Sequence, residues 1–283
     1  EIPLETGGIS KLMHHTNPNN SKDNQNLKLL TIGSPVGHTN SAVMIGKDKV
    51  YVFGGKQNGD AYSSSNKVLE IDFADSFNPK IKKLNPMFSP RSNGDATILP
   101  NGNVFLNGGT AYNDSQFSNF IPEIYNVENQ ITKQMSKSYF RRNYHSSSIL
   151  LPDGTILTGG GDVWNAEIFY PPYLFKKNWE NKTVLAERPK IINLANELKR
   201  EDLILNINSN RDISQITILS TGSTTHGQGS ESKFRDLDFK KINKNEYQVK
   251  IPESSNELQD GTYLIFAIGD DNVPSHGKIV YLN

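Results

Sequence analysis

Three stretches of this chain share one plan, and no other feature restricts its fold as strongly. Each has a small or polar lead-in, an apolar strand, a turn, a second apolar strand and a glycine pair. They are residues 38–44 leading to 50–55, 92–102 leading to 104–109, and 144–154 leading to 156–160. In the second and third, the turns are Leu99-Pro100-Asn101-Gly102 and Leu151-Pro152-Asp153-Gly154. Pro fixes φ in such a turn and Gly accepts positive φ. Leu99 and Leu151 set a period of 52 residues. The glycine pairs, Gly54-Gly55, Gly108-Gly109 and Gly159-Gly160, permit a backbone turn that a Cβ would resist. Further apolar stretches at 67–71, 122–126 and 166–169 supply each unit with an outer strand.

A period near 50 residues, with several strands and turns in each unit, predicts an all-β chain with about three blades of a kelch-type β-propeller. The pattern changes after Pro171-Pro172-Tyr173-Leu174, where a charged, Trp-containing loop at 176–187 leads to Arg188-Pro189, read as a linker. Alternating apolar stretches at 203–207, 213–220, 246–251, 262–268 and 278–282 then predict an immunoglobulin-like β-sandwich. The division is therefore 1–30 as partial outer strands or an N-terminal arm, 31–178 as propeller blades, and 188–283 as the sandwich. No long helix is predicted. Only 35% of the residues are hydrophobic, which suits a turn-rich β protein.

Charge and cysteine count narrow the function classes. Lys+Arg and Asp+Glu stand at 30 each, so no basic face points to nucleic acid or to an anionic membrane. No apolar run approaches 18 residues, so no membrane span is expected. The start, Glu1-Ile2-Pro3-Leu4, has neither Met nor a signal peptide and reads as a processed or excised start. The chain holds no cysteine, which rules out internal disulfides and thiolate metal sites and leaves the redox compartment open. Glycosylation sequons at Asn19, Asn113 and Asn181 are expected by chance in so Asn-rich a chain.

The best chemical lead is Tyr144-His145, at the mouth of the third repeat's first strand. Imidazole and phenolate suit Cu(II). Adjacent strand residues point to opposite faces, so both can reach one metal only where the strand ends or bends. The other reading is a Tyr that closes a repeat and a His bonded to backbone, and the pair alone does not decide between them. His226, in Thr224-Thr225-His226-Gly227, reads on its own as an exposed hairpin His. Asn93 reads as a turn residue capping its strand, with a place in a substrate pocket as the alternative. His14-His15 and His38 read as solvated or rim residues, and His276 has no metal role.

The series of motifs resembles the galactose oxidase and glyoxal oxidase family of copper radical oxidases. It runs through Pro122-Glu123-Ile124-Tyr125, Arg142-Asn143-Tyr144-His145-Ser146, Leu151-Pro152-Asp153-Gly154 and Ala166-Glu167-Ile168-Phe169-Tyr170-Pro171-Pro172. It continues through Arg188-Pro189-Lys190-Ile191, Gly222-Ser223-Thr224-Thr225-His226 and Val273-Pro274-Ser275-His276-Gly277. The resemblance implies a seven-bladed propeller followed by a sandwich that sends a His-bearing hairpin through it. It also implies copper as cofactor, Tyr144 as axial ligand and proton acceptor, and His145 and His226 as equatorial ligands. The position of Asn93 is one where relatives often carry an aromatic beside the metal. The family's radical tyrosine is cross-linked to a cysteine, for which this chain has no counterpart.

The expected activity is oxidation of a primary alcohol or aldehyde with reduction of O2 to H2O2, in a secreted or cell-surface protein. The competing expectation is a non-catalytic module that binds carbohydrate or protein. Three blades leave open sheet edges, so a second chain or a missing segment is expected to complete the ring.

Overall fold

The computed structural model describes residues 39–57, 60–75, 78–112, 114–201, 204–221, 223–225, 228–230 and 232–283. The expected arm at 1–30, His14-His15, His38 and His226 lie outside the described residues. Those described are nearly all β or irregular, and their only helical pieces are two 3₁₀ turns, Ser115–Phe117 and Pro172–Leu174.

The first repeat forms β1 (Ser41–Ile45), β2 (Lys49–Phe53), a small β3 (Lys56–Gln57) and β4 (Asp60–Ser64) hairpin, β5 (Val68–Asp72) and β6 (Lys80–Leu84). The second forms β7 (Ser92–Ile98), β8 (Val104–Thr110), β9 (Glu123–Asn126) and β10 (Ile131–Gln134). The third forms β11 (Ser146–Leu150), β12 (Ile156–Gly160) and β13 (Glu167–Phe169). Each is an antiparallel meander in sequence order, so the repeat plan holds in three dimensions. The fourth strands β6 and β10 carry no apolar alternation, because almost all their residues face solvent.

The loop expected at 176–187 contains a hairpin, β14 (Phe175–Lys177) with β15 (Thr183–Leu185). Its turn closes on the Asn178 side chain, which accepts from Glu180 N and Lys182 N, with Asn181 at φ +61°. One glycine pair also shifts by a residue. Positive φ falls at Gly160-Gly161 rather than Gly159-Gly160, matching Gly54-Gly55 and Gly108-Gly109. The second glycine of a pair donates to the lead-in arginine of the next repeat: Gly55 N to Arg91 O (2.7 Å) and Gly109 N to Arg142 O (2.6 Å). A Cβ on Gly54 or Gly108 would collide with that same carbonyl oxygen, so both the close approach and the left-handed backbone demand glycine.

The C-terminal part holds β16 (Ile191–Ile192), β17 (Glu197–Leu198), β18 (Ile204–Ser209), β19 (Gln215–Ser220), β20 (Ser223–Thr225), β21 (Gln228–Ser230), β22 (Lys233–Asp236), β23 (Phe239–Lys241), β24 (Glu246–Lys250), β25 (Gly261–Ile268) and β26 (Lys278–Leu282). One sheet runs β16-β18-β24-β23 and a second contains β17-β26-β25-β19-β22. Between them lies a core that includes Ile207, Ile216, Tyr247, Val249, Ile265 and Val280, all buried. Full burial of each large apolar side chain contributes about 1.5–3 kcal/mol.

The second sheet does not stop at the edge of this part. β22 pairs in parallel with β1, Met44 opposite Lys233 and Ile45 opposite Phe234. One sheet edge that sequence reasoning left open is therefore covered by the chain's own far end. A second core, containing Val43, Phe53, Ile98, Leu106, Leu219, Phe234 and Phe266, spans the same junction. Both Leu-Pro turns dock there too. Thr217 Oγ1 donates to Pro100 O (2.8 Å), and Gly277 N donates to Pro152 O (2.7 Å). Arg188, expected in a linker, is an anchor: it donates to the carbonyls of Asp153, Pro274 (2.7 Å) and Ser275 (2.6 Å).

Candidate metal centre

The first strands of the three repeats lie side by side, with β7 between β1 and β11. At the same end of each strand one non-glycine residue adopts a left-handed backbone: Thr39 (φ +65°), Asn93 (φ +55°) and His145 (φ +64°). A left-handed Thr or His is uncommon, and such residues concentrate at functional sites. Asn93 N donates to Thr39 O (2.9 Å), which ties the first two lead-ins together.

What precedes that residue differs between repeats. In the second, Arg91 is followed directly by Ser92, which is fully buried and paired with Thr110. In the third, one extra residue separates Arg142 from the strand. Ser146 N donates to Asn143 O (2.9 Å), which closes a turn with Tyr144 and His145 at its two central positions. Positive φ at the third residue is what a type II turn has. The turn removes the strand alternation that would send neighbouring side chains apart. The Tyr144 and His145 rings instead lie together, centroids 3.7 Å apart at 32°. Tyr144 is 51% exposed and His145 is exposed as well.

The turn is held from beneath. Arg142, 1% exposed, donates from Nη1 to Gly160 O (3.0 Å) and from Nη2 to Asn165 O (2.7 Å), and pairs with Glu167 at 3.5 Å. Glu167 accepts from Tyr139 N (2.7 Å) and Phe140 N (3.4 Å). The second repeat has the same clamp in tighter form: Arg91 meets Glu123 at 2.8 Å, and Glu123 accepts from Phe88 N and Ser89 N. The Asn143 side chain hydrogen-bonds the Ser118 hydroxyl (2.9 Å). From β7, Asp95 Oδ2 accepts from Ser146 Oγ (2.9 Å) and Ser148 Oγ (3.3 Å). Burial lifts the Asp95 carboxyl to about 7, against the pull of those two hydroxyls and of Arg142.

The hairpin β20–β21 lies against β1, β7 and β11. Thr225 pairs with Gln228, and His226 falls between them, outside the described residues. The structure thus brings Tyr144 and His145 together and puts Asn93 at the same end of the adjoining strand. Among the described residues no group of three or more His, Cys, Asp and Glu is placed to hold a metal. The Tyr144 phenol and His145 imidazole are an oxygen and a nitrogen donor on adjacent rings, and that donor set fits copper. Sequence reasoning missed Asp95 and the two Arg–Glu clamps. The Glu repeat was visible in Pro122-Glu123-Ile124-Tyr125 and Ala166-Glu167-Ile168-Phe169, whereas nothing in the sequence marked Asp95.

Comparison with known proteins adds the lineage. The glyoxal oxidase N-terminus family matches residues 25–176, and the galactose oxidase-like, early set domain matches residues 188–282. The chain belongs to this glyoxal oxidase and galactose oxidase-like family. It is 28% identical over 244 residues to a galactose oxidase of Gibberella zeae, covering 81% of this chain and 35% of that protein. It is 25% identical to an aldehyde oxidase of Arabidopsis thaliana, covering 87% of this chain and 45% of that protein. The chain thus spans less than half the length of these relatives. A solved fungal alcohol oxidase in complex with copper superposes with a TM-score of 0.78 at 20% identity, covering 87% of this chain and 54% of that one, and shows the shared fold.

Proposed function

We propose that this chain carries the copper-holding part of an oxidase that converts a primary alcohol or aldehyde while reducing O2 to H2O2. The observation that carries the reading is the Tyr144-His145 turn, whose rings share one side in a fold common to a copper-bound alcohol oxidase. Residues 31–178 act as kelch-type propeller blades and 188–283 as an immunoglobulin-like sandwich, with 1–30 as partial outer strands or an N-terminal arm. The sandwich supplies the β20–β21 hairpin, whose turn carries His226 in the sequence. Tyr144, His145 and His226 hold the metal. Copper, when bound, would supply one of the two electron exchanges of this oxidation, and the other needs a second redox centre that the 283 residues do not supply as a Cys–Tyr pair.

Tyr144 Oη would accept the proton that the substrate hydroxyl gives up. Asn93 lines the substrate side. Small alcohols, aldehydes or sugars are the partners, and a secreted or cell-surface location follows the same reading. No helix among the described residues is long and apolar enough to cross a membrane.

The test is copper loading of the full chain followed by a peroxide-coupled assay on galactose, simple primary alcohols and glyoxal-type aldehydes. Copper uptake that is lost in His145→Ala, with or without peroxide, supports the reading, and a full chain that takes up no copper overturns it. One observation favours a second reading, a carbohydrate- or protein-binding module: the 283 residues hold no cysteine to cross-link a radical tyrosine.

A further inference from the structure

The two Arg–Glu clamps recur in successive repeats, so they belong to the scaffold and say nothing special about the third lead-in. Asp95 is different. At the equivalent strand positions the first and third repeats have Ser41 and Ser147, so the repeat plan does not call for a carboxylate there. The group is nonetheless 4% exposed, and its Oδ1 has no hydrogen-bond partner. A buried carboxylate with an unpaired oxygen is destabilising. Its other oxygen takes the hydroxyl of Ser146, the residue that follows His145 and closes the Tyr144-His145 turn.

The structure leaves no room beside Asp95 for a reacting molecule. The cavity beside it, lined by Ser41, Phe53, Met87, Arg91, Gly94 and Leu106, is about 10 Å³, room for one water at most. Nor is it part of an ion pair. The strands packed on β7 are β1, β8, β11 and β21, and none contributes an ionisable side chain; Arg142 and Arg91 are the charged groups near it. What remains is the geometry of its hydrogen bonds. They fasten the first residue of β11 to the neighbouring repeat, and with it the left-handed backbone of His145.

We propose that Asp95 is a positioning residue: through Ser146 it holds the Tyr144-His145 turn in the shape that presents both rings to one metal ion. This rests on the copper reading above. Groups that orient a metal ligand from behind typically change metal affinity by 10–100-fold when lost.

The test is calorimetric titration of the full chain with Cu2+, with circular dichroism to establish that each variant is folded and electron paramagnetic resonance to report the ligand field. Asp95→Ala and Ser146→Ala are expected to weaken Cu2+ binding about tenfold and to alter the copper hyperfine splitting. Asp95→Asn, whose amide oxygen still accepts from both serines, is expected to restore most of that loss. Unchanged affinity and spectrum in folded Ser146→Ala would overturn the proposal, as would Asp95→Asn weakening binding as much as Asp95→Ala, since charge rather than hydrogen bonding would then be at work. If the wild-type chain takes up no Cu2+ at all, the copper reading itself fails and the proposal falls with it.

Discussion

The lead-ins of the second and third repeats are built on one frame and end differently. Both have a buried Arg clamped to a buried or half-buried Glu, both present that Arg's carbonyl to the preceding glycine pair, and both place a left-handed residue one step before an equivalent strand position. In the second, Ser92 joins the strand ladder and vanishes into the interior. In the third, a single added residue folds into a turn, and Tyr144 and His145 ride out on it. A rigid frame lets so small an insertion act. Were the Arg142 end free to drift, one extra residue would be absorbed as slack rather than as a defined projection.

Breaking the frame should have the largest effect. Glu123→Ala leaves Arg91 charged and buried without its partner, and loss of one member of a buried pair costs about 3–5 kcal/mol. Glu167→Ala should cost less, about 1–2 kcal/mol, because Glu167 is 18% exposed and its contact with Arg142 is longer. Urea denaturation of the two variants measures the difference, and equal losses would mean that the clamps are not graded in this way.

The link between the two lead-ins gives a pH-dependent effect. The Asp95 carboxyl is raised from its ordinary 3.8 to about 7. A raised carboxyl favours the protonated form in the folded chain, so its contribution is fully present below about pH 4 and is lost as pH rises through about 7. Asp95→Asn removes that dependence. Relative to wild type it should gain roughly 3 kcal/mol between pH 4 and pH 7.5, read from melts across that range. A gap that stays constant with pH would place the carboxyl at an ordinary value.

The third comparison concerns the turn alone. His145→Ala should lower Cu2+ affinity by more than about 100-fold, beyond what loss of an orienting group produces, while stability changes little at this exposed position. His145→Gly should lose copper equally yet be more stable than His145→Ala by about 1 kcal/mol, since glycine adopts positive φ without the Cβ penalty. Equal melting of the two would show that the turn stores no strain.

Much of this was legible because the repeat is local. Leu-Pro-Asn-Gly and Leu-Pro-Asp-Gly announce their hairpins within four residues, and the apolar strands beside them are short and regular. The outermost strands, Lys80–Leu84 and Ile131–Gln134, escaped notice because solvent-facing strands need no apolar pattern. Tyr144-His145 stood out by residue type, but that its two rings share a side depends on Ser146 N reaching Asn143 O, and only folded geometry shows that. Arg91, Glu123 and Asp95 look like surface residues in a sequence. Buried charges betray themselves only through partners, and Asp95 meets Ser146 from a different repeat. The union of β1 with β22 was least legible, since pairing between distant segments leaves no local trace.

That parallel union has a consequence for how the protein is made. β1 leaves the ribosome well before β22, since Met44 pairs with Lys233 far along the chain. The repeats can collapse during synthesis, but Met44 and Ile45 have no β22 to pair with until Phe234 has emerged. Contacts of such long sequence separation form slowly, because loop closure comes before any return from them. That delay predicts chaperone contact near Ser41–Ile45, and loss of the union when the chain is cut before Lys233.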